Sequence, residues 1–321
     1  MPRLDPKQEL RLMAKVSRLY YNEGLTQDTI VEKLNLSRAK ISRLLQQARD
    51  VGIVTITVNA PAGTYSDLEE QIEARYGLRE VIVVDVADPE SQVVVNQELG
   101  IAAANYLNRI IKNGDSIGFS WGTTLNQVVS YIQSQSLPDA QVVQIIGGLG
   151  PPESEFHATD LCRRAAQHLG CRLTLLPAPG IVDNQQVKEV ILSDSHVQKA
   201  FHEFCSLNIA FVGIGAPTPS SVVMRDGSIL NQQDLERLQA QGAVGDIALR
   251  FFDPSGTPIY SDLDTRVIGI SLEELTCIER VVGISGGVSK TAAIQGALAG
   301  KLVDVLITDQ LTARRLANPH A

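Results

Sequence analysis

Residues 25–49 have the sequence LTQDTIVEKLNLSRAKISRLLQQAR, which predicts two short helices joined by a tight turn. Thr26 and Ser37 are expected to cap the two helix N-termini, because their hydroxyls can accept hydrogen bonds from the first free amides. Asn35 should end the first helix, since asparagine tolerates the left-handed conformation of a sharp turn. Apolar residues at helical spacing predict the shared buried face of the two helices: Ile30, Val31, Leu34, Ile41, Leu44, Leu45 and Ala48.

The outward face of the second predicted helix is basic. Residues 38–49 include four Lys or Arg residues and no acid. This is the layout of a DNA-reading helix-turn-helix, in which the N-terminal half of the second helix enters the major groove. The residues expected to contact bases are Arg38, Lys40, Ser42 and Arg43. Two alternatives stay open: a solvated basic face on an ordinary helical hairpin, and a hairpin that binds protein.

Charge is distributed unevenly along the chain. The 321 residues have a formal net charge of -8, which by itself argues against a nucleic-acid partner. Residues 1–60, however, contain ten Lys or Arg and six Asp or Glu, a net charge of +4, so the remainder carries -12. Phosphate groups should therefore be attracted to the basic N-terminal module and not to the acidic remainder of the chain.

The composition is that of an ordinary globular protein, with 44% hydrophobic and 20% charged residues. No stretch approaches the roughly 18 apolar residues of a membrane span, and the N-terminus has no signal-peptide core. We therefore expect a cytoplasmic protein without membrane contact. The four cysteines form no C-x-x-C pair, so neither a zinc site nor a disulfide framework is predicted. His202 and Cys205 could share a helix face, but no second ligand pair accompanies them.

Two domains are predicted, residues 1–60 and residues 61–321, with a linker rich in small residues and proline at residues 59–64. An amphipathic helix over residues 10–21 would complete a three-helix N-terminal domain. Residues 53–58 alternate β-branched side chains and predict a strand, as in a short wing.

The second domain alternates strand and helix patterns. The predicted strands are residues 80–86, 116–119, 142–146, 173–176, 209–214, 281–284 and 303–307. These runs are apolar on both faces, which is typical of strands covered on both sides in a parallel sheet. The predicted fold is therefore a winged-helix-like N-terminal domain, followed along the chain by a doubly wound, mostly parallel α/β domain.

Ligands of such sheets bind beyond the carboxyl ends of the strands. Ser120, Gly122, Thr123 and Thr124 follow one predicted strand and open a helix. Hydroxyls, a glycine and free helix N-terminal amides at one point suit a phosphate group. This segment is therefore the predicted anion site.

Other strand ends carry glycines and charges. Gly147 and Gly148 end a second strand, and Gly286 and Gly287 follow another, with Lys290 three residues later as a cation for a phosphate or sugar oxygen. The segment around Lys290 fails the nucleotide P-loop pattern, because Ser289 stands where that motif requires glycine. Neither ATP nor another cofactor is implied.

One carboxylate is also predicted in this pocket. Asp246 follows a glycine and could accept hydrogen bonds from sugar hydroxyls. Each loop taken alone is also compatible with a plain turn that uses glycine for its permissive backbone.

The chain resembles, over nearly its full length, the SorC/DeoR family of bacterial sugar-responsive transcription regulators. The resemblance rests on the motifs LYYNEGLTQ (19–27), LSRAKISRLL (36–45), GIV (52–54), SWGTTL (120–125), GDI (245–247) and GGVSK (286–290). Asn35 departs from the family pattern, in which glycine is common at this turn.

The resemblance implies an effector domain similar to sugar-phosphate isomerases and deaminases, but one that binds without turnover. It implies that Gly122, Thr123 and Thr124 hold the effector phosphate, with Asp246 and Lys290 beside the sugar. It also implies homodimers or homotetramers that bind double-stranded operator DNA, and in such regulators repression is usually relieved or modified by a phosphorylated sugar. The alternative is a sugar-phosphate isomerase or deaminase with an accessory DNA-binding module, in which Asp246 would be the general base. Which sugar binds, which operator is read and whether the protein represses or activates stay open at this point.

Overall fold

The computed structural model describes residues 6–56, 64–149, 158–219, 221, 224 and 230–318. The chain forms two compact units, Met1–Pro61 and Ala62–Ala321, and each has hydrophobic clusters of its own. In the described ranges, no helix has both the length and the apolar character needed to cross a bilayer.

The first unit is helical. Its elements are α1 (Pro6–Ser17), a π-helical turn (Arg18–Asn22), α2 (Gln27–Leu34) and α3 (Arg38–Asp50). The predicted caps are confirmed, because Thr26 Oγ1 accepts from the Thr29 amide at 3.2 Å and Ser37 Oγ accepts from the Lys40 amide at 3.3 Å. Asn35 ends α2 with a φ of 50°, the left-handed conformation expected of it. The two helices therefore form where the caps and the turn residue predict.

The three helices pack around one small core. It consists of Met13, Val16, Leu19, Ile30, Ile41, Leu44, Leu45 and Ala48. All four apolar residues predicted for the inner face of α3 are buried, whereas Val31 and Leu34 on α2 are only partly buried.

The wing strand predicted for residues 53–58 is wrong for residues 53–56, which form bends and irregular chain. Gly52 takes a left-handed conformation with a φ of 75°, and the Val54 amide then donates back to the Ala48 carbonyl at 3.0 Å. This backbone contact folds the segment against the end of α3, so it does not extend as a strand. The rest of the predicted wing, residues 57 and 58, lies outside the described residues.

The second unit is built on a parallel sheet. The strands are β1 (Glu80–Val84), β2 (Ser116–Phe119), β3 (Gln141–Gln144), β4 (Arg172–Thr174), β5 (Ile209–Gly213), β6 (Gly245–Ile247), β7 (Arg250–Phe252), β8 (Arg280–Ile284) and β9 (Val305–Asp309). Seven of them form one sheet in the order β1-β9-β8-β5-β2-β3-β4, and every neighbouring pair is parallel. These are the seven predicted strands, with ends displaced by at most two residues.

Helices cover both faces of this sheet. In the described residues of the second unit, the α-helices are α4 (Ser66–Tyr76), α5 (Gln92–Ile110), α6 (Thr123–Ser130), α7 (Ala158–Leu169), α8 (Gln185–Leu192), α9 (Ser195–Phe204), α10 (Gln232–Ala240), α11 (Leu272–Thr276), α12 (Thr291–Ala299) and α13 (Gln310–Ala317). Alternate residues of β5 belong to different cores: Ala210 and Val212 to one, Ile209 and Phe211 to the other. Because successive side chains of a strand point to opposite faces, the two cores lie on the two sides of the sheet. The predicted doubly wound α/β fold is confirmed.

The strand order reverses between β2 and β5. From β2 the chain adds β3 and β4 toward one edge, whereas from β5 it adds β8 and β9 toward the other. The connections that follow β2 and β5 therefore diverge and leave a crevice at the carboxyl ends of these two strands. In open α/β sheets this is where ligands bind.

A short antiparallel pair, β6 and β7, completes this region and was not predicted. Its turn consists of Ala248 and Leu249, which both have left-handed φ angles, 52° and 61°. Hairpin turns of this geometry usually carry Asn or Gly, so the sequence gives no turn signal here. Gly215 after β5 exchanges backbone hydrogen bonds with Asp246 at 2.9 and 3.0 Å, which holds β6 beside the crevice.

Candidate functional site

A cavity of about 600 Å³ occupies the crevice between β2 and β5. Its walls come from the first turns of α5 and α6, the loop after β5, the β6–β7 hairpin and the loop before α12. Five residues predicted to bind the effector line it: Gly122, Thr123, Thr124, Asp246 and Lys290. Residues that are up to 168 positions apart in sequence therefore meet in one space.

The start of α6 forms one wall of this cavity. Gly122 is the N-cap residue, with a φ of 124°, and it provides no side-chain cap for the first amides of the helix. A helix N-terminus without a side-chain cap combines free N–H donors with the positive end of the helix dipole. The hydroxyls of Thr123 and Thr124 lie at the same point. The wall is thus rich in hydrogen-bond donors and suits an anion.

Asp246 and Lys290 contribute opposite charges to the cavity. Asp246 is only 6% exposed, and burial raises its pKa to about 6, against the lowering effect of the Leu249 amide and of Lys290. Its Oδ2 accepts from the Leu249 amide at 3.2 Å, so the carboxylate also holds the left-handed turn of the hairpin. Burial lowers the pKa of Lys290, and the Asp246 charge opposes that shift.

Side-chain amides connect α5 to the start of α6. Asn96 Nδ2 donates to Thr123 Oγ1 at 3.2 Å, and Asn96 Oδ1 accepts from Thr124 Oγ1 at 3.0 Å. Gln92 Nε2 donates to Asn96 Oδ1 at 2.9 Å and to the Gly286 carbonyl at 3.2 Å. The two threonines are therefore held by a network that reaches from α5 to the loop after β8.

The outer face of α3 in the first unit is exposed. Ser42 and Arg43 are exposed and Lys40 is partly exposed. Among the described residues, the Arg43 and Lys40 side chains form no hydrogen bond or ion pair. Arg38 lies 3.5 Å from Asp28 on α2, and both side chains are about 70% exposed. A surface pair of this kind is weak, so Arg38 can exchange Asp28 for a phosphate or a base.

Comparisons with known proteins agree with both the helical first unit and the α/β second unit that contains the cavity. A family model, Sugar-bind, described as "Putative sugar-binding domain", matches residues 61–318. The deoxyribonucleoside regulator of Bacillus subtilis is 34% identical over 312 residues, covering 97% of this chain and 99% of the relative. The sorbitol operon regulator of Klebsiella pneumoniae is 32% identical over 321 residues, covering 98% and 99%. The chain belongs to the Sugar-bind family of SorC/DeoR-type transcriptional regulators.

The solved structures extend this likeness to the fold of the regulator. The crystal structure of full-length SorC, the sorbitol operon regulator from Klebsiella pneumoniae, matches with a TM-score of 0.74 at 31% identity. The match covers 97% of this chain and 100% of SorC, so it includes the helix-turn-helix unit as well as the α/β unit. A DeoR-family regulator from Listeria monocytogenes matches 78% of this chain and 98% of its own with a TM-score of 0.73 at 29% identity.

Some residues predicted for the effector site of this regulator do not line the cavity. The Gly147 amide donates to the Ile268 carbonyl at 3.0 Å, and the Gly148 amide donates to the Ala178 carbonyl at 2.8 Å. A Cβ on Gly147 would lie 2.5 Å from the Pro179 backbone. These two glycines allow a close backbone approach next to β3. Ser120, 1% exposed, lies just before the cavity wall.

Gly286 and Gly287 also serve packing. The Gly287 amide donates to Asp309 Oδ2 at 2.7 Å, and a Cβ on Gly286 would lie 2.5 Å from the same oxygen. Asp309 is 1% exposed and also caps α13, where it accepts from the Leu311 and Thr312 amides. The glycine pair therefore fits around a buried carboxylate, and Lys290 alone of this predicted group lines the cavity.

Sequence reasoning missed the α5 side of this regulator's cavity. Glu90, Gln92 and Asn96 line it, together with Trp121 and Gln127. A signal was present, because Gln92 opens the helix that follows β1, and the rule about strand ends applies to that connection too. Asn96 lies one helical turn further on and could not be placed from sequence, since its role depends on how closely α5 and α6 pack.

Proposed function

We propose that this chain is a transcriptional regulator whose operator binding is modulated by a phosphorylated sugar in the cavity of the second unit. The observation that carries the proposal is the meeting of Gly122, Thr123, Thr124, Asp246 and Lys290 in one cavity. The open start of α6 would hold the phosphate, with Lys290 as a cation beside it. Asp246 would accept hydrogen bonds from sugar hydroxyls. The names of the relatives, a deoxyribonucleoside regulator and a sorbitol operon regulator, support a sugar-derived effector.

The first unit would read operator DNA through α3. Arg38, Lys40, Ser42 and Arg43 stand on or beside the outer face of this helix, and its other face is buried in the core. Arginine and lysine pair with guanine edges in the major groove, whereas small residues allow a close approach. The positive charge of residues 1–60 favours the approach to DNA, although the whole chain has a net charge of -8.

The regulator would act as a homodimer or homotetramer in the cytoplasm. Two symmetric recognition helices bind half-sites that are about 34 Å apart, or a multiple of that distance. Such an arrangement explains how a small recognition surface reaches operator specificity. The effector would favour whichever of two arrangements it binds more tightly, the one that binds DNA or the one that does not. It can change operator affinity by no more than the ratio of its own affinities for these two arrangements.

We propose that the cavity binds the sugar phosphate without converting it. A buried carboxylate with a raised pKa also occurs in isomerases, and Asp246 is such a group. In this regulator Asp246 accepts from the Leu249 amide and so stabilises the left-handed turn of the hairpin, which is a structural role. Close relatives that carry the name of regulators support the same conclusion.

A melting-temperature screen of the full chain against phosphorylated pentoses and hexoses tests this proposal. A ligand of the cavity should raise the melting temperature further as its concentration rises above its Kd, and it should lose that effect in Thr123→Ala and Lys290→Ala. The unphosphorylated sugar is the matched control and should stabilise far less. A stabilising ligand indifferent to both substitutions would place the site elsewhere, and turnover of the sugar phosphate would favour the enzyme.

A further inference from the structure

We infer that Asn96 fixes the direction of the Thr123 hydroxyl, so that Thr123 donates its hydrogen to the bound anion while Thr124 donates its own to Asn96. This inference rests on the proposed function, in which the start of α6 holds the phosphate. The two adjacent threonines then have different roles: the Thr123 hydroxyl contacts the ligand, and the Thr124 hydroxyl holds the network in place. It also makes Asn96 and Gln92 positioning residues of the site.

The direction of the network is set by the Gly286 carbonyl, an oxygen that can only accept. Gln92 must therefore present its Nε2 to that oxygen, which lies 3.2 Å away. The same nitrogen lies 2.9 Å from the amide group of Asn96. Because a nitrogen that donates needs an acceptor, the atom of Asn96 that faces it is Oδ1. One backbone oxygen thus decides which way both side-chain amides are turned.

The orientation of Asn96 then assigns the hydrogens of the two threonines. Oδ1 is 3.0 Å from Thr124 Oγ1 and can only accept, so Thr124 donates to it. Nδ2 is 3.2 Å from Thr123 Oγ1 and can only donate, so the Thr123 oxygen accepts. The hydrogen of the Thr123 hydroxyl must consequently point away from Asn96. Thr123 lines the cavity, where its hydroxyl can donate to an oxygen of the ligand.

The close packing of α5 on α6 makes these contacts possible. Gly100 is one turn after Asn96, and a Cβ on it would lie 2.4 Å from the Cβ of Gln127, one turn after Thr123. With no side chain at Gly100, the two helices approach closely enough for a side-chain amide on α5 to reach the hydroxyls on α6.

The chemical consequence is a preference for a group that only accepts hydrogen bonds. The Thr123 hydroxyl and the first amides of α6 all donate, so a fully ionised phosphate or a sulfate satisfies them. A sugar hydroxyl at the same point would bring a hydrogen of its own that needs an acceptor. The network therefore selects the phosphate end of the effector for this wall.

Inorganic phosphate is the probe for the test, because it engages the anion wall without the sugar. Its binding to the full chain can be followed by fluorescence, since Trp121 is the single tryptophan and lines the cavity. Thr123→Val should weaken phosphate binding about tenfold or more, as loss of a hydrogen bond to a charged group does. Thr124→Val should weaken it about threefold or less, and Thr123→Ser should stay within about threefold of the parent. Equal losses for the two valine variants would overturn the inference.

A double-mutant cycle tests the role of Asn96. Aspartate at this position can only accept, so in Asn96→Asp both threonine hydroxyls should turn toward it. Thr123→Val should then change phosphate affinity by about twofold or less in the Asn96→Asp background, against about tenfold in the parent. A role of Asn96 in packing alone would leave the effect of Thr123→Val the same in both backgrounds, and that result would overturn the inference.

Gln92→Glu provides the same test through a second residue if Asn96→Asp does not fold. The ionised carboxylate of this variant cannot donate to Asn96, so the Asn96 amide should turn over and the effect of Thr123→Val should again shrink to about twofold or less. The proposed function and this inference fail in distinguishable ways. If phosphate does not bind the parent chain at all, the anion site itself is wrong. If phosphate binds and Lys290→Ala weakens its binding, the anion site stands. In that case, equal effects of Thr123→Val and Thr124→Val would mean that only the inference about Asn96 is wrong.

Discussion

Asp246 and Lys290 face the same cavity, and burial shifts the pKa of each toward its neutral form. Burial has therefore removed hydration from both the carboxylate and the ammonium. A sugar phosphate would return hydrogen bonds to the carboxylate and a negative charge to the ammonium. Under the proposed function, binding of the sugar phosphate should therefore stabilise the folded protein.

The contribution of Asp246 to stability should fall as the pH rises from about 4 to about 6, because burial raises its pKa to about 6 in the folded protein, against about 3.9 in an unfolded chain. In that window the folded state keeps a proton that the unfolded state has lost, and above about pH 6 the effect is level. The shift corresponds to about 3 kcal/mol, as an order of magnitude. Asp246→Asn should remove this loss, raise the free energy of unfolding at pH 7 and weaken effector binding.

Urea unfolding followed by Trp121 fluorescence at pH 4.5 and pH 7 measures this effect in the second unit. The matched control is Asp262→Asn, which makes the same change at an exposed position of the same unit. If Asp246→Asn and Asp262→Asn lower the free energy of unfolding at pH 7 by the same amount, the Asp246 carboxylate costs no folding free energy.

Gly100→Ala should destabilise the second unit by about 1–3 kcal/mol, as overpacking in a close interface does. The new Cβ would lie 2.4 Å from the Gln127 Cβ and 2.9 Å from the Gln127 carbonyl carbon, so the backbones of α5 and α6 must separate. Phosphate binding should weaken in the same variant, because Asn96 then loses its reach to the threonines. Urea unfolding and a phosphate titration check both effects.

Gln97→Ala is the control for this substitution, since Gln97 is exposed on the same helix and its change should stay within about 0.5 kcal/mol. A Gly100→Ala chain with unchanged or higher stability would mean that the two helices are not in the close contact that the cavity requires.

Arg43→Ala should weaken binding to a selected operator by about 1–3 kcal/mol while changing binding to random DNA much less. The reason is that Arg43 is exposed on the outer face of α3, and we propose that it contacts a base edge rather than a phosphate. Fluorescence anisotropy with the two duplexes, over a range of salt concentrations, provides the measurement. Lys15→Ala, which removes an exposed cation of α1, is the control. Equal losses on both duplexes would remove Arg43 from the base readers.

The sequence predicted the scaffold well because the signals for it are local. The cap at Ser37 and the turn at Asn35 depend only on neighbouring residues. The seven strands could be recognised because each is a run of apolar residues that is buried in the sheet. The β6–β7 hairpin was missed because its turn residues, Ala248 and Leu249, take left-handed conformations that are imposed by their surroundings and the Asp246 carboxylate.

The site was predicted in part for the same reason. The rule that ligands bind at strand ends predicted that Thr123 and Lys290 lie in the cavity wall, because each lies at or just before the start of the helix that follows a strand. It could not distinguish a glycine that faces a ligand from one that faces the protein, and Gly287 packs against Asp309. Asn96 was out of reach, since its contacts depend on the approach of two helices that a glycine at position 100 allows.

The central claim is that occupancy of the cavity changes the affinity for operator DNA. The direct test is the Kd of the full chain for a duplex selected from a random pool, measured with and without the sugar phosphate that most strongly changes Trp121 fluorescence. We predict a change of about tenfold in the parent, a typical allosteric coupling, and none in Lys290→Ala at the same ligand concentration. An operator Kd that stays the same in the parent while the ligand occupies the cavity would contradict the account.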